Sequence, residues 1–151
     1  MVICGFPGVG KSTAAHNRTN VVDAESSVYS WMFDPSEPNA PRKRNPAFPQ
    51  NYGDHIESLG GVCGYDVILA SCHKEVREEL DRRGIDYVFV VPEKNRKDEY
   101  MKRYLKRGSD VEFINLLHEK WDVWLDEIEN NGKHAVIHLG AGEYISEVLP
   151  Q

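Results

Sequence analysis

The sequence of 151 residues lacks several features that would assign it to particular classes of protein. It contains no apolar run approaching the ~20 residues of a membrane-spanning helix, so we expect no membrane association. Its three cysteines are odd in number and show no C-x-x-C spacing, which argues against a disulfide framework and against a zinc site. An excess of positive charge is also missing: the net charge of −6 argues against general duplex-DNA binding and leaves only a local basic groove for nucleic acid.

The remaining composition is that of an ordinary globular protein. Hydrophobic residues make up 40% of the chain and charged residues 28%, which is typical of neither disordered nor fibrous proteins. The length predicts a single domain, 1–151, that can bury a core. The first motif starts at residue 5 and leaves no room for a signal peptide, so we expect a cytoplasmic protein. The oligomeric state stays open.

That first motif is Gly5-Phe6-Pro7-Gly8-Val9-Gly10-Lys11-Ser12, which fits the phosphate-binding pattern G-x-x-x-x-G-K-S. Its glycines let the backbone aim several N–H groups at one anionic ligand, and an apolar run before it and a helix start after it supply the required context. Lys11 can reach the β- and γ-phosphates of ATP, and the Ser12 hydroxyl can hold Mg²⁺. The predicted nucleotide-binding residues are Gly8, Val9, Gly10, Lys11, Ser12 and Thr13.

Segments typical of strands and helices alternate along the chain. Apolar, β-branched runs predict strands at 1–4, 21–23, 66–70, 85–91 and 135–139. Helical spacing predicts helices at 12–16, 28–33, 52–59, 74–83, 93–107, 111–130 and 143–149. Because the strands read as buried parallel ones, we predict an α/β fold with a five-stranded, mostly parallel sheet. The aromatic stripe of the helix at 111–130 is interpreted as core rather than as a stacking surface for a ligand.

Two further segments carry groups suited to a substrate. Residues 34–51 are rich in proline and include Arg42-Lys43-Arg44, so they are interpreted as a substrate flap, with a plain surface loop as the alternative. Residues 93–110 are dense in positive charge, and Arg103 and Arg107 lie one helical turn apart on a shared face. A solvated charged helix is the alternative interpretation of that second segment.

The order of these elements resembles the P-loop kinases of the nucleoside-monophosphate kinase and polynucleotide kinase group. A looser likeness to small phage-type nucleotide kinases lies in the stretches 21–27, 45–52 and 103–108. The resemblance implies a three-layer α/β/α fold and a helical lid at 93–110. It further implies that the lid brings arginines onto the phosphates, and the matching positions are Arg96, Arg103 and Arg107.

Asp23 ends the second predicted strand beside the phosphate loop, where ligands bind in open α/β sheets. The resemblance implies either that it accepts a proton from an attacking hydroxyl or that it supports Mg²⁺ indirectly. One departure from the expected pattern is that the third strand has no aspartate at its end, since Asp66 lies at its beginning. We therefore expect the metal to depend on Ser12, the phosphates, water and Asp23. His73, just past that third strand, is either a substrate contact or a polar surface residue.

The leading hypothesis is an ATP-dependent phosphotransferase that transfers the γ-phosphate to a nucleoside or deoxynucleoside monophosphate. Its catalytic residues would be Lys11, Asp23, Arg103 and Arg107. A first alternative is a kinase that acts on a hydroxyl, either a polynucleotide end or a hydroxymethylated DNA base, with Arg42, Arg44 and Asp23 on the substrate. A second is a nucleotide-binding protein without turnover that acts through a macromolecular partner.

Overall fold

The computed structural model describes residues 1–32 and 35–150. The strands are β1 (Val2–Gly5), β2 (Val21–Asp23), β3 (Trp31–Met32), β4 (Lys43–Arg44), β5 (Val67–Ser71), β6 (Tyr87–Pro92) and β7 (Val136–Leu139). The helices are α1 (Lys11–His16), α2 (Ser27–Ser30), α3 (Gln50–Gly60), α4 (Lys74–Arg82), α5 (Lys97–Lys106) and α6 (Val111–Glu129), with 3₁₀ turns at Lys94–Arg96 and Ile145–Glu147.

Five of the strands form a parallel sheet in the order β2-β5-β1-β6-β7, which confirms the predicted five-stranded sheet. Residues of β1 pair on both sides: Ile3 lies opposite Leu69 of β5 and Val88 of β6. From β1 the chain crosses over β5 to reach β2, whereas from β5 it crosses over β1 to reach β6. Because these connections run in opposite directions, the carboxyl ends of β1 and β5 border a crevice of the kind that holds ligands in such sheets.

Helices cover both faces of this sheet and make the fold a three-layer α/β/α arrangement. Right-handed crossovers in opposite directions put α1 and α4 on opposite faces. On one face α1 packs with the turn Ile145–Glu147, and on the other α3 packs with α4 and β5. The central strands are buried on both faces, which explains their continuous apolar sequences.

The aromatic stripe of α6 is core for part of its length. Trp121 is fully buried, with its ring 5.4 Å from that of Phe6 and edge-on to it, and Leu117 and Leu125 lie beside it in the core. The indole Nε1 of Trp121 donates to the Lys94 carbonyl at 2.9 Å, so α6 is fixed to the segment after β6. None of the helices within 1–32 and 35–150 is long and apolar enough to cross a bilayer.

Three predicted helices were wrong in extent. The helix predicted at 28–33 ends at Ser30, because Trp31 and Met32 instead pair antiparallel with Arg44 and Lys43 of the predicted flap. Phe33 and Asp34, which belong to that helix and to the start of the flap, lie outside the described residues. The segment predicted as one helix from residue 93 begins with a 3₁₀ turn and becomes α-helical at Lys97.

The predicted closing helix at 143–149 is reduced to the 3₁₀ turn Ile145–Glu147. Its start is extended at Tyr144, with φ of −127° and ψ of 160°. The Ile145 amide donates to the Val9 carbonyl at 2.8 Å, so it bonds with the phosphate loop instead of within a helix. A long-range contact therefore overrides the local helical preference.

Candidate functional site

The phosphate-loop motif forms a tight turn between β1 and α1. Gly8 and Gly10 have φ of 90° and 95°, in the left-handed region that residues with a side chain rarely adopt. A Cβ at Gly8 would lie 2.8 Å from Tyr104 Cε1, and one at Gly10 would lie 2.9 Å from Tyr144 Cδ1. Both positions therefore require glycine for backbone conformation and for space.

A cavity of about 370 Å³ opens over this loop at the carboxyl ends of β1, β2 and β5. Of the predicted nucleotide-binding residues, those on its wall are Gly8, Gly10, Lys11 and Ser12. Val9 is fully buried behind the loop, and Thr13 is exposed and outside the wall. The loop thus presents its glycines and its lysine to the cavity and anchors itself in the core through Val9.

Lys11 starts α1 and reaches back into the loop. Its Nζ donates to the Gly5 carbonyl at 3.0 Å, which holds the ammonium group over the end of β1. The first-turn amides of Lys11, Ser12 and Thr13 have no acceptor within their own helix, as at every helix start. Positive charge and free donors are therefore concentrated on the loop side of the cavity, as an anionic ligand requires.

Asp23, the last residue of β2, lies across the cavity from α1. Its Oδ1 is buried and has no hydrogen-bond partner among the described residues. Burial raises the pKa of the Asp23 carboxyl; the Lys11 charge opposes that shift, and Glu25 adds to it. A buried carboxylate oxygen without a partner is costly in a folded protein, which is the physical reason for the raised pKa of Asp23.

The backbone around Asp23 is fixed by a buried phenol that the sequence did not indicate. Tyr52 of α3 donates its hydroxyl to the Ala24 carbonyl and accepts a hydrogen bond from the Ser71 amide at 3.3 Å. The Ala24 amide also donates to the Leu69 carbonyl at 2.8 Å. Tyr52 thereby ties the ends of β2 and β5 together. No periodicity distinguishes it from the other apolar residues of α3.

The end of β5, which lies between β1 and β2 in the sheet, contributes the next part of the wall. His73, a predicted substrate residue, caps the start of α4 and lines the cavity. Loss of hydration lowers the pKa of the His73 imidazole, and the positive charges of Lys11 and Arg44 lower it further. Both effects favour the neutral ring. Lys74 and Arg77 of α4 also line the cavity, although sequence reasoning missed both. Their position in the first turn after a central strand was the available signal.

Arg77 is held in place from three sides. Its Nε donates to the Cys72 carbonyl at 2.9 Å, its Nη2 pairs with Glu127 of α6 at 3.0 Å, and its guanidinium lies over the Phe89 ring. Only 14% of its side chain is exposed. This ion pair joins α4 to α6 beside the cavity and partly compensates the charge of Arg77.

Two residues of the α6 stripe, Phe113 and Trp124, pack against the core as predicted but also contribute to the cavity. Phe113 and Trp124 are only half-buried and line the cavity, together with Ile128. They face a different side of α6 from the buried Trp121. The cavity therefore has an apolar, partly aromatic wall opposite its polar strand ends, an arrangement that suits a ligand with a flat organic part.

The three predicted lid arginines are separated by the structure. Arg107 lines the cavity, donates from Nε to Ser109 Oγ at 2.8 Å, and lies over the rings of Tyr104 and Phe113. Arg103 is outside the cavity wall and instead donates to the Gly8 carbonyl of the phosphate loop and to the Glu143 carbonyl. Arg96 is also outside it, with its Nε donating to the neighbouring Asn95 side chain.

The flap arginines are likewise away from the cavity wall. Arg44 forms an ion pair with Glu75 at 2.7 Å, and its guanidinium lies over the rings of Trp31 and Phe48. The guanidinium of Arg42 also lies over the Trp31 ring, 5.8 Å from its centroid. Contact of Arg42 and Arg44 with a substrate stays a prediction, and their observed partners are aromatic and acidic residues of the same chain.

Oxygen donors beside the loop fit a magnesium ion. Within 1–32 and 35–150 no three His, Cys, Asp or Glu side chains cluster in a way that would hold a metal by themselves. Ser12 and Asp23, which carry a hydroxyl and a carboxylate, both line the cavity. Because Mg²⁺ is usually held by one or two protein oxygens together with substrate phosphates and water, these residues match such an ion.

Comparisons with known proteins supply no function. No family model matches the chain, and no curated protein matches it. Among solved structures it is similar to that of an uncharacterized protein from Eubacterium ventriosum, with 15% sequence identity and a TM-score of 0.45, over 97% of this chain and 91% of that one. At that level the likeness carries no functional argument.

Proposed function

We propose that this protein is an ATP-dependent phosphotransferase. The observation that carries the proposal is that a phosphate loop and the carboxylate residue Asp23, whose pKa is raised by burial, line one cavity. Donor and acceptor groups must meet in one water-excluding space for phosphoryl transfer, because catalysis there is mainly positioning and charge stabilisation.

Lys11 and Ser12 would bind the donor. Lys11 Nζ would exchange the Gly5 carbonyl for the β- and γ-phosphate oxygens of ATP, and Ser12 Oγ would hold the Mg²⁺. Bound Mg²⁺ supplies charge neutralisation between those phosphates. The first-turn amides of α1 would bind the remaining phosphate oxygens.

Asp23 favours a hydroxyl group as the acceptor. Its raised pKa brings the carboxyl closer to the range in which a general base works well, and Asp23 lines the cavity that the phosphate loop also lines. A hydroxyl must lose its proton to form a phosphoester, whereas a phosphate acceptor is already ionised. The hydroxyl of a nucleotide or of a nucleic acid end is therefore our first candidate acceptor.

A nucleoside monophosphate is the second candidate acceptor, and a different observation favours it. Lys74, Arg77 and Arg107 line the same cavity, so it offers cations that can hold an acceptor phosphate. The half-buried Trp124 and Phe113 would contact the base of either kind of nucleotide.

A transfer screen tests the proposal. γ-Labelled ATP with Mg²⁺ would be offered with each common ribo- and deoxynucleoside monophosphate, a 5′-hydroxyl oligonucleotide and a duplex containing hydroxymethyluracil. We expect label on at least one acceptor and none with the Lys11→Ala variant. ATP binding without transfer to any of them would contradict the proposal and favour a nucleotide-binding protein that acts through a macromolecular partner.

A further inference from the structure

We propose that Arg103 is a positioning residue that holds the phosphate loop in its nucleotide-binding shape, together with the segment after β7. This inference rests on the proposed function and changes the role that sequence resemblance implies for Arg103. The groups concerned, called the loop clamp below, are Arg103 and Tyr104 of α5 and Tyr144 and Ile145 of the segment after β7.

The loop clamp satisfies three successive carbonyls of the phosphate loop. Tyr104 Oη donates to the Pro7 carbonyl at 2.7 Å, Arg103 Nη1 to the Gly8 carbonyl at 2.8 Å, and the Ile145 amide to the Val9 carbonyl at 2.8 Å. Two of these donors come from α5 and one from the segment after β7. The loop is therefore held from two elements that are far from it in sequence.

These bonds also determine where the loop amides point. In a trans peptide the C=O and the N–H point in opposite directions. Fixing the Pro7 and Val9 carbonyls on the clamp therefore turns the amides of Gly8 and Gly10 the other way. Gly8 and Gly10 line the cavity, so the clamp directs these donors toward the proposed phosphates.

Arg103 joins the two halves of the clamp. Its Nη2 donates to the Glu143 carbonyl and pairs with Glu99, each at 2.8 Å, and Glu99 in turn accepts the Gly142 amide at 3.1 Å. Its guanidinium lies between two rings, 4.3 Å from the Tyr100 centroid and 4.0 Å from that of Tyr144. Only 11% of its side chain is exposed.

This environment is unsuited to an arginine that swings onto a transferring phosphate. To reach the cavity, the guanidinium would have to leave two backbone carbonyls, a carboxylate and two aromatic faces. Arg107, the residue that follows α5, lines the cavity and is held by fewer groups, the Ser109 hydroxyl and the rings of Tyr104 and Phe113. The geometry thus assigns the two arginines different tasks, loop positioning for Arg103 and ligand contact for Arg107.

Amide hydrogen exchange of the nucleotide-free protein tests the clamp by itself. The test variant is Arg103→Gln, and the matched control is Lys102→Gln, which removes a neighbouring exposed charge from the same helix. We expect exchange in residues 6–10 and 140–145 to rise about tenfold in Arg103→Gln, as the loss of a charge-assisted contact predicts, and to stay unchanged in Lys102→Gln. Unchanged exchange in both segments of a folded Arg103→Gln would overturn the clamp.

ATP titration and steady-state kinetics then test whether the loop clamp supports ATP binding rather than the transfer step. Arg103→Gln should weaken ATP binding and raise the KM for ATP about tenfold, while kcat at saturating ATP stays within about threefold of wild type. A lowered kcat with normal ATP affinity would overturn the positioning role and restore the lid assignment. If wild-type protein binds no ATP, the proposed function fails, and the exchange experiment still decides whether the clamp exists.

A second variant covers the case in which Arg103→Gln does not fold. Tyr144→Ala removes one of the two rings beside the guanidinium at a side chain that is 46% exposed, so the fold should tolerate it. We expect faster exchange confined to residues 6–10 and 140–145. Wild-type exchange in this variant would contradict the clamp.

Discussion

The two sides of the cavity are built in opposite ways. On the phosphate-loop side, the carbonyls of Pro7, Gly8 and Val9 each accept a hydrogen bond from a distant element. Across the cavity, the Asp23 carboxylate keeps one buried oxygen without a partner among the described residues. The three loop carbonyls are satisfied in advance, whereas the carboxylate of the other side keeps an unsatisfied oxygen.

This difference follows from what each side is proposed to do. A phosphate group always presents tetrahedral, anionic oxygens, so a loop fixed beforehand avoids reorganisation when the ligand arrives. A proton acceptor must instead have an oxygen free for the reacting group, which makes some local instability unavoidable. We therefore expect substitutions on the loop side and on the Asp23 side of the cavity to have different consequences.

Lys11→Ala should have the largest effect, because it removes the cation from the loop side. We expect transfer to fall about 10³-fold or more, comparable to or beyond the loss of a preorganised electrostatic group, with weaker ATP binding. Initial rates of labelled phosphate transfer would measure this. Lys106→Ala, an exposed lysine on α5, is the control. Transfer within threefold of wild type in Lys11→Ala would remove the loop from the proposed site.

Asp23 should impose a pH dependence on the acceptor side. Since burial raises its pKa, the basic form required for hydroxyl transfer is lost as pH falls through that raised value, so the rate should rise with pH across it. A wild-type transfer rate that does not rise with pH across the pKa of Asp23 would contradict the assignment of Asp23 as the base.

The raised pKa of Asp23 also predicts how the thermal stability of the protein depends on pH. A carboxyl whose pKa is raised on folding destabilises the folded state above that pKa, because the folded protein holds its proton more tightly than the unfolded chain. Asp23→Asn should therefore raise Tm at neutral pH, and the gain should shrink in acid, where Asp23 is protonated in both states. A lowered Tm at neutral pH would show that the carboxylate has a stabilising partner.

Arg107→Gln should reduce kcat about tenfold, the usual order for one charge-assisted contact. Its loop exchange should match wild type, in contrast to Arg103→Gln. Arg103→Gln and Arg107→Gln remove the same kind of charge one helical turn apart, so any difference between them separates loop positioning from ligand contact. Equal loop exchange and equal kcat losses in both variants would indicate that they share one role.

Tyr52→Phe should have the smallest effect. The substitution keeps the ring but removes the hydroxyl that joins Ala24 to Ser71, so we expect a loss of about 1 kcal/mol in the free energy of unfolding. Urea denaturation would measure it. A free energy of unfolding equal to that of wild type would show that Tyr52 does not hold the two strand ends together.

The sequence was sufficient for the parts of the site that depend on local pattern. The loop glycines, Lys11 and Ser12 follow from a motif, and Asp23 follows from its place at a strand end. The parallel sheet follows from apolar runs that are buried on both faces. The loop residues are adjacent in sequence, and Asp23 is brought to the site because the parallel strands end at the same edge of the sheet.

What the sequence could not supply are contacts between distant residues. The resemblance, supported by charge and spacing, implied a ligand contact for Arg103, whereas the backbone carbonyls that it contacts lie 95 and 40 residues away, at Gly8 and Glu143. Likewise, helical periodicity could not separate the buried Trp121 from the cavity-lining Trp124, because both belong to one apolar stripe. Local pattern does not encode which side of a stripe meets the sheet and which meets a cavity.

The most direct test of this account is a side-by-side transfer assay with wild type and Asp23→Asn. Each would receive γ-labelled ATP with Mg²⁺ and either a 5′-hydroxyl oligonucleotide or a deoxynucleoside monophosphate. We expect wild type to label the hydroxyl acceptor. We expect Asp23→Asn to lower the rate of that transfer about 10²-fold or more while it still binds ATP. Equal transfer by both proteins would contradict the role of Asp23 and would leave a monophosphate kinase as the better explanation of the site.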